Sequence, residues 1–165
     1  MSQSVERLDA GGGRRWLVLV LWLAVVATVA LVGSSVILPK IPTWYAGLAK
    51  PWFTPPNAVF GPAWTILYVM MAVAAWRIST GPAARTRPTA LFVVQLAFNA
   101  IWSPVFFGME APKLGLAVIV ALLISLAATF IAFWRIDRLA GLLLVPYLGW
   151  ICYATALNAA IVALN

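Results

Sequence analysis

The stretch Trp16–Leu38, which reads WLVLVLWLAVVATVALVGSSVIL, carries no charge over 23 residues. Four more uncharged, apolar stretches follow it: Ala58–Trp76, Pro88–Met109, Leu114–Trp134 and Leu139–Asn165. Each is long enough, or nearly so, to cross a hydrocarbon core of about 30 Å as a helix. Backbone N–H and C=O groups in lipid must bond within the chain, which favours helices. We therefore predict an all-α membrane protein, a five-transmembrane-helix bundle in which residues 16–165 form one domain and residues 1–15 a disordered cytoplasmic tail.

Composition agrees with this class, because 64% of residues are hydrophobic and only 9% are charged. The net charge of +7 does not indicate nucleic acid, since the basic residues are placed like topology signals. One side of the predicted membrane carries eight of them: Arg7, Arg14, Arg15, Arg77, Arg85, Arg87, Arg135 and Arg138. The other side carries three, Lys40, Lys50 and Lys113. The excess puts the N-terminus in the cytoplasm, and we predict a multi-pass protein of the bacterial cytoplasmic (inner) membrane.

The loop between the first two helices is long and rich in Pro and Trp. Residues 39–57 hold five of the eleven prolines, and each proline restricts its own φ and the residue before it. Four aromatic side chains, Trp44, Tyr45, Trp52 and Phe53, give the loop apolar surface. We interpret it as a lid folded onto the bundle; an aromatic belt at the headgroup level is the alternative.

Missing residue types limit the chemistry. The chain has no His and a single cysteine, Cys152, so a thiolate metal cluster is excluded. The four carboxylates, Glu6, Asp9, Glu110 and Asp137, all lie outside the predicted spans. An ion-coupled pump normally needs an ionisable group within the membrane. We therefore predict no metal site, no obligatory cofactor and no conventional hydrolytic or phosphoryl-transfer activity.

Polar and aromatic residues recur at helical spacing in three of the spans. They are Trp64 and Tyr68 in the second, Gln95, Asn99 and Trp102 in the third, and Tyr147, Trp150 and Asn158 in the fifth. An amide that faces lipid is costly unless bonded, so these faces should point inward. Spacing alone favours hydrogen bonding between helices; prolines at 62, 104 and 146 favour a cavity for a large flat ligand with few polar groups.

The chain resembles the TspO family of tryptophan-rich sensory proteins, which is related to the mitochondrial translocator protein. The resemblance covers about residues 20 to 160 and rests on ordered blocks of sequence. The blocks are Trp44-Tyr45, Lys50-Pro51-Trp52-Phe53-Thr54-Pro55-Pro56, Pro62-Ala63-Trp64-Thr65-Ile66-Leu67-Tyr68, Gln95-Leu96-Ala97-Phe98-Asn99 with Trp102, Pro104-Val105-Phe106-Phe107-Gly108, and Pro146-Tyr147-Leu148-Gly149-Trp150 with Asn158.

The resemblance implies a five-helix bundle, usually a homodimer, with a pocket closed by the first loop. It implies tetrapyrrole ligands such as protoporphyrin IX and synthetic benzodiazepine-type ligands. The pocket residues carry over onto Trp44, Trp52, Trp64, Asn99, Trp102, Tyr147, Trp150 and Asn158, and the inward faces add Tyr68 and Gln95. Some members of the family bind sterols, and the sterol motif proposed for their fifth helix needs Leu or Val, then Tyr, then Lys or Arg. Neither Tyr147 nor Tyr153 is followed by Lys or Arg, so the motif is incomplete and sterol binding is not expected.

These considerations predict a membrane receptor, sensor or scavenger that binds porphyrins in an aromatic pocket under the first loop. Two alternatives stay open. The first is a carrier that moves tetrapyrroles across the membrane. The second is an enzyme that degrades porphyrin in light, since the resemblance gives Trp64 and Trp150 that photochemical role in some bacterial members.

Overall fold

The computed structural model describes residues 2–81 and 86–165, and of residues 2–12 the backbone alone. Its helices are α1 (Ser2–Lys40), α2 (Trp44–Gly47), α3 (Asn57–Ser79), α4 (Thr86–Ser103), α5 (Pro112–Ile136) and α6 (Arg138–Leu164), and the described residues include no strand. Five segments are long and apolar enough to cross a membrane: Gly13–Lys40, Asn57–Ser79, Thr86–Gly108, Pro112–Ile136 and Arg138–Leu164. The predicted five-helix architecture is confirmed. The division into a disordered tail and one domain stays a prediction, because the side chains of residues 1–12 lie outside the described part.

The five long helices form a closed ring. α1 packs against α3, α3 against α6, α6 against α5, α5 against α4, and α4 against α1. The interior is filled by large side chains with no exposed surface, including Met71, Phe92, Phe133 and Tyr147. A second cluster lies nearer the first loop, around Phe106 and its neighbours. The ring therefore has an aromatic upper part, next to the first loop, and a packed lower part, away from that loop.

A π-helical turn, Pro104–Gly108, continues α4 into the upper cluster. Its wider hydrogen bond runs from the N–H of Met109 to the C=O of Pro104 at 2.9 Å. A π turn inserts one residue into the helical repeat and re-aims the side chains around it. Here both Phe106 and Phe107 are buried, with ring centroids 4.9 Å apart. The turn thus supplies two adjacent aromatic rings to the upper part of the bundle.

Four small residues at helical spacing on α5, Ala117, Ala121, Ser125 and Thr129, could form a dimer contact or pack within the bundle, and they do not share one exposed face. Ala117 is exposed, whereas Thr129 is fully buried and donates a hydrogen bond to the C=O of Ser125 at 2.8 Å. The lower end of the row therefore packs within the bundle. A homodimer stays a prediction.

Candidate functional site: an aromatic chamber and an adjoining cleft

The first loop folds back onto the bundle. Tyr45, in the short helix α2, is only 6% exposed, and Trp44 packs edge-on against Phe106 with ring centroids 5.6 Å apart. Phe53 packs edge-on against Tyr153 of α6. Burial, together with the nearby Tyr153 phenol, raises the pKa of Tyr45, so this phenol stays neutral beneath the loop. Three of the four loop aromatics thus behave as the lid interpretation expects.

Trp52 is the exception, with 95% of its surface exposed. The chain makes a tight turn here: the N–H of Thr54 donates to the C=O of Pro51 at 3.0 Å, and the Thr54 hydroxyl donates to the same oxygen at 2.8 Å. This turn directs Phe53 inward and Trp52 outward. Trp52 lines neither of the cavities described below, and its role in binding stays a prediction.

A small chamber of about 90 Å³ lies under the loop. The predicted residues Trp64, Trp102, Trp150 and Asn158 line it. Ala154, which shares the predicted inward face of α6, also lines it, and the rest of the lining was not among the predicted site residues: Ile37, Ile41, Tyr45, Asn57, Phe60, Phe106, Phe107, Leu157 and Ile161. On α6, Leu157 and Ile161 follow Trp150 at seven and eleven residues, so extending the inward face along that helix would have found them.

A larger cleft of about 750 Å³ adjoins the chamber between α1 and α3. Its inner wall includes Trp64, Tyr68, Asn99 and Trp102, and it shares Trp64 and Trp102 with the chamber. Its volume lies within the range of about 300–1,000 Å³ typical of small-molecule sites. No charged side chain is among the described residues that line either cavity. The arrangement can therefore accept a large apolar molecule and offers it no counter-ion.

Trp64 lies where the two cavities meet. Its ring stacks on Tyr68 with centroids 5.3 Å apart and planes inclined by 30°. It also packs edge-on against Trp150 at 6.3 Å. Among the described residues, the indole N–H of neither Trp64 nor Trp150 has a hydrogen-bond partner. Both rings therefore offer a stacking surface and a donor to a ligand.

Two of the three predicted inward amides bridge helices. Asn99 of α4 accepts a hydrogen bond from the Tyr68 hydroxyl at 2.8 Å and donates to the Tyr147 hydroxyl at 2.9 Å. These bonds join α4 to α3 and α6. Tyr147 is fully buried and lies edge-on to Trp64, so it supports the site from behind without lining either cavity.

Asn158 forms the second bridge. It accepts a hydrogen bond from the indole N–H of Trp102 at 3.3 Å and donates to the C=O of Pro112 at 2.9 Å. Gly115 permits this approach, because a Cβ there would lie 3.0 Å from Phe106 and 3.3 Å from the Asn158 side-chain oxygen. The hydrogen bond fixes the orientation of the Trp102 ring, which stacks on Phe106.

Comparison with known proteins gives a consistent result. The family model described as TspO/MBR family matches residues 19–164. The chain is 44% identical to the tryptophan-rich protein TspO of Archaeoglobus fulgidus over 146 residues, which are 87% of this chain and 93% of the relative. It is 41% identical to the tryptophan-rich sensory protein of Cereibacter sphaeroides over 91% of this chain and 92% of the relative. It is 39% identical to the human translocator protein over 77% of this chain and 78% of that protein.

Proposed function

The chain belongs to the TspO/MBR family, and on that premise we propose that it is a membrane receptor, sensor or scavenger for porphyrins such as protoporphyrin IX. The observation that carries the proposal is the uncharged aromatic cleft of about 750 Å³ with Trp64 at its inner end. A flat macrocycle stacks on indole and phenol rings without requiring a charged partner. The names of the relatives, a sensory protein and a translocator protein, agree with small-molecule recognition in a membrane.

Quenching of tryptophan fluorescence by protoporphyrin IX in lipid nanodiscs tests this proposal. Binding should saturate, and Trp64→Phe should weaken it, because the variant loses ring surface and the indole donor. Trp150→Phe should act in the same direction. The matched control is Trp16→Phe, since Trp16 is 65% exposed and lines neither cavity. Equal effects of all three substitutions, or quenching that never saturates, would mean that porphyrin only partitions into the lipid.

Light-dependent breakdown of porphyrin is a second candidate. The observation that favours it is the contact between Trp64 and Trp150, two indoles that both line the chamber. Protoporphyrin IX absorbance should then fall in aerobic light and persist in the dark or without oxygen. Trp64→Phe should abolish the light-dependent loss. Identical bleaching with and without the protein would remove this candidate.

We also propose that the protein is located in the bacterial inner membrane. Benzodiazepine-type compounds are proposed to compete with protoporphyrin IX for its site. A saturating benzodiazepine-type ligand should displace protoporphyrin IX and restore the tryptophan emission. Independent binding of the two compounds would assign them to different sites.

A further inference from the structure

The cleft between α1 and α3 opens sideways, within the membrane-spanning segments. On the α1 side its rim includes the exposed residues Ala27 and Ser34, and on the α3 side Gly61 and Thr65. These four side chains are small and obstruct the gap between the two helices less than Leu31, Leu38 and Val69, which are larger exposed residues that also line the cleft. Both rims belong to helices that cross the hydrocarbon core. The mouth of the cleft therefore faces lipid chains.

On the side of the first loop, the site is closed by contacts that hold the loop against the bundle. The side-chain amide of Asn165 pairs with the backbone of Ala49, accepting from its N–H at 3.0 Å and donating to its C=O at 3.1 Å. The Tyr153 hydroxyl donates to the C=O of Phe53 at 2.9 Å. Lys50 lies over the Tyr45 ring, with its Nζ 4.8 Å from the centroid. The contacts of Asn165 and Tyr153 fasten the loop to the bundle at two points, and the contact of Lys50 with Tyr45 lies within the loop itself.

The chamber and the cleft adjoin each other. Besides Trp64 and Trp102, they share Ile37, Ile41, Asn57 and Phe60. A molecule that enters from the bilayer reaches Trp64 without displacing the loop. A molecule that enters from water must first break the contacts that Asn165 and Tyr153 make with the loop.

We propose that the ligand reaches the site from the lipid phase, through the gap between α1 and α3, and that the first loop is a fixed roof rather than a gate. This inference rests on the proposed function and specifies its ligand class: molecules that dissolve in the bilayer core, largely apolar and flat. Tyr68 and Asn99 lie on the inner wall, so a hydrogen-bonding edge of the ligand points inward. Water-soluble molecules that do not partition into lipid are poor ligands.

The first experiment needs no porphyrin. The protein is placed in vesicles of phosphatidylcholine brominated at mid-chain, and the emission due to Trp64 is taken as the difference from Trp64→Phe. Brominated chains should quench this emission, and iodide added to the water should not. Phe at the small rim positions, in Gly61→Phe or Ser34→Phe, should reduce the bromine quenching at least about twofold, because the added ring narrows the mouth.

Gly61 is a favourable position for this substitution, because a Cβ there would meet no atom within 4 Å. The matched controls are Val59→Phe and Val32→Phe, which add a ring to the same helices at exposed positions outside the cleft. They should leave the quenching unchanged. Quenching of Trp64 by iodide, or its complete resistance to brominated chains, would overturn the inference.

The second experiment measures the rates of protoporphyrin IX binding. Gly61→Phe and Ser34→Phe should slow association and dissociation together, each about tenfold, because they obstruct the route more than they change the bound state. Asn165→Ala and Tyr153→Phe loosen the loop and should leave both rates unchanged. Faster association in the loosened variants, with no effect at the rim, would contradict lateral entry.

The two experiments separate the inference from the function on which it rests. Bromine quenching of Trp64 without saturable porphyrin binding would refute the porphyrin proposal and retain the lateral opening. Saturable porphyrin binding together with a Trp64 that brominated chains do not quench would retain the porphyrin proposal and refute the lateral opening.

Discussion

Gln95 differs from the other buried amides of the bundle. It has no exposed surface, and neither its side-chain oxygen nor its nitrogen has a hydrogen-bond partner within the described structure. Asn99, one turn later on α4, has a partner on each side-chain atom. An unpaired amide in an apolar interior is destabilising. Gln95 therefore weakens the bundle where Asn99 strengthens it.

Substitution of these two residues should have opposite effects. Gln95→Met removes the unpaired groups, keeps the shape, and should leave stability unchanged or raise it by about 1–3 kcal/mol. Asn99→Leu removes the hydrogen-bond partner of the Tyr68 and Tyr147 hydroxyls and should lower the free energy of unfolding by about 1–3 kcal/mol. Thermal unfolding in nanodiscs, followed by tryptophan emission, measures both. A Gln95→Met variant less stable than Asn99→Leu would show that Gln95 is hydrogen-bonded in the membrane.

Within α6, two glycines occupy contrasting surroundings. A Cβ at Gly141 would lie 2.8 Å from the Trp134 ring and 2.9 Å from the Trp134 Cα, so the backbone of α5 blocks it. A Cβ at Gly149 would meet nothing within 4 Å. Of these two glycines, only Gly141 is needed for the close approach of α5 and α6 next to the turn that connects them.

Alanine at the two positions should therefore act in opposite directions. Gly141→Ala should destabilise the protein by about 1–3 kcal/mol, because the helices must move apart. Gly149→Ala should raise stability by about 0.5–1 kcal/mol, because alanine favours a helix without a clash. The same unfolding measurement compares them, and equal effects would contradict the packing described at Gly141.

The start of α6 is fixed by Asp137. Its Oδ1 accepts hydrogen bonds from the backbone N–H groups of Leu139 at 2.9 Å and Ala140 at 3.2 Å. Its Oδ2 accepts from the Arg77 guanidinium at 2.7 Å. Partial burial acts to raise the pKa of Asp137, but these hydrogen bonds and the charge of Arg77 lower it below the ordinary value of 3.8. The carboxylate thus caps α6 and joins it to the end of α3.

This lowered pKa predicts a pH dependence. The carboxylate's contribution to stability is complete above pH 3.8 and is lost as the pH falls through the lower folded-state value. Asp137→Asn keeps a capping oxygen but removes the charge, so the variant should lose less stability than the parent between pH 6 and pH 3. Unfolding at the two pH values measures the difference. Identical pH profiles would show that the pair with Arg77 contributes nothing.

The helices could be predicted from the sequence, whereas the course of the loop could not. Uncharged runs of this length have one common solution in lipid, and the spacing of Asn99 and Trp102 placed both facing inward. The outward turn of Trp52 follows from hydrogen bonds at Pro51 and Thr54, which composition does not specify. The missing partner of Gln95 and the π turn after Ser103 likewise depend on how neighbouring helices meet. Local sequence sets an inward face, and tertiary contacts decide which of its residues line a cavity.

The whole molecule has a defined orientation if the distribution of basic residues decides its insertion. In a Cys152→Ala background, Gly47→Cys should react with a membrane-impermeant maleimide in intact spheroplasts, since Gly47 is exposed in the first loop. Ala84→Cys should react only after the membrane is permeabilised. The opposite pattern would place the N-terminus outside the cytoplasm.

The closed ring of helices has a consequence for biosynthesis. α6 leaves the ribosome after the other four described spans, yet it lies between α3 and α5 and carries Tyr147, Trp150 and Asn158. Until it inserts, Asn99 lacks the Tyr147 hydroxyl and Trp102 lacks the Asn158 oxygen. A nascent chain with four spans in the membrane therefore lacks the α6 wall of the chamber and the loop contacts of Tyr153 and Asn165. The candidate site is therefore complete only after α6 has inserted.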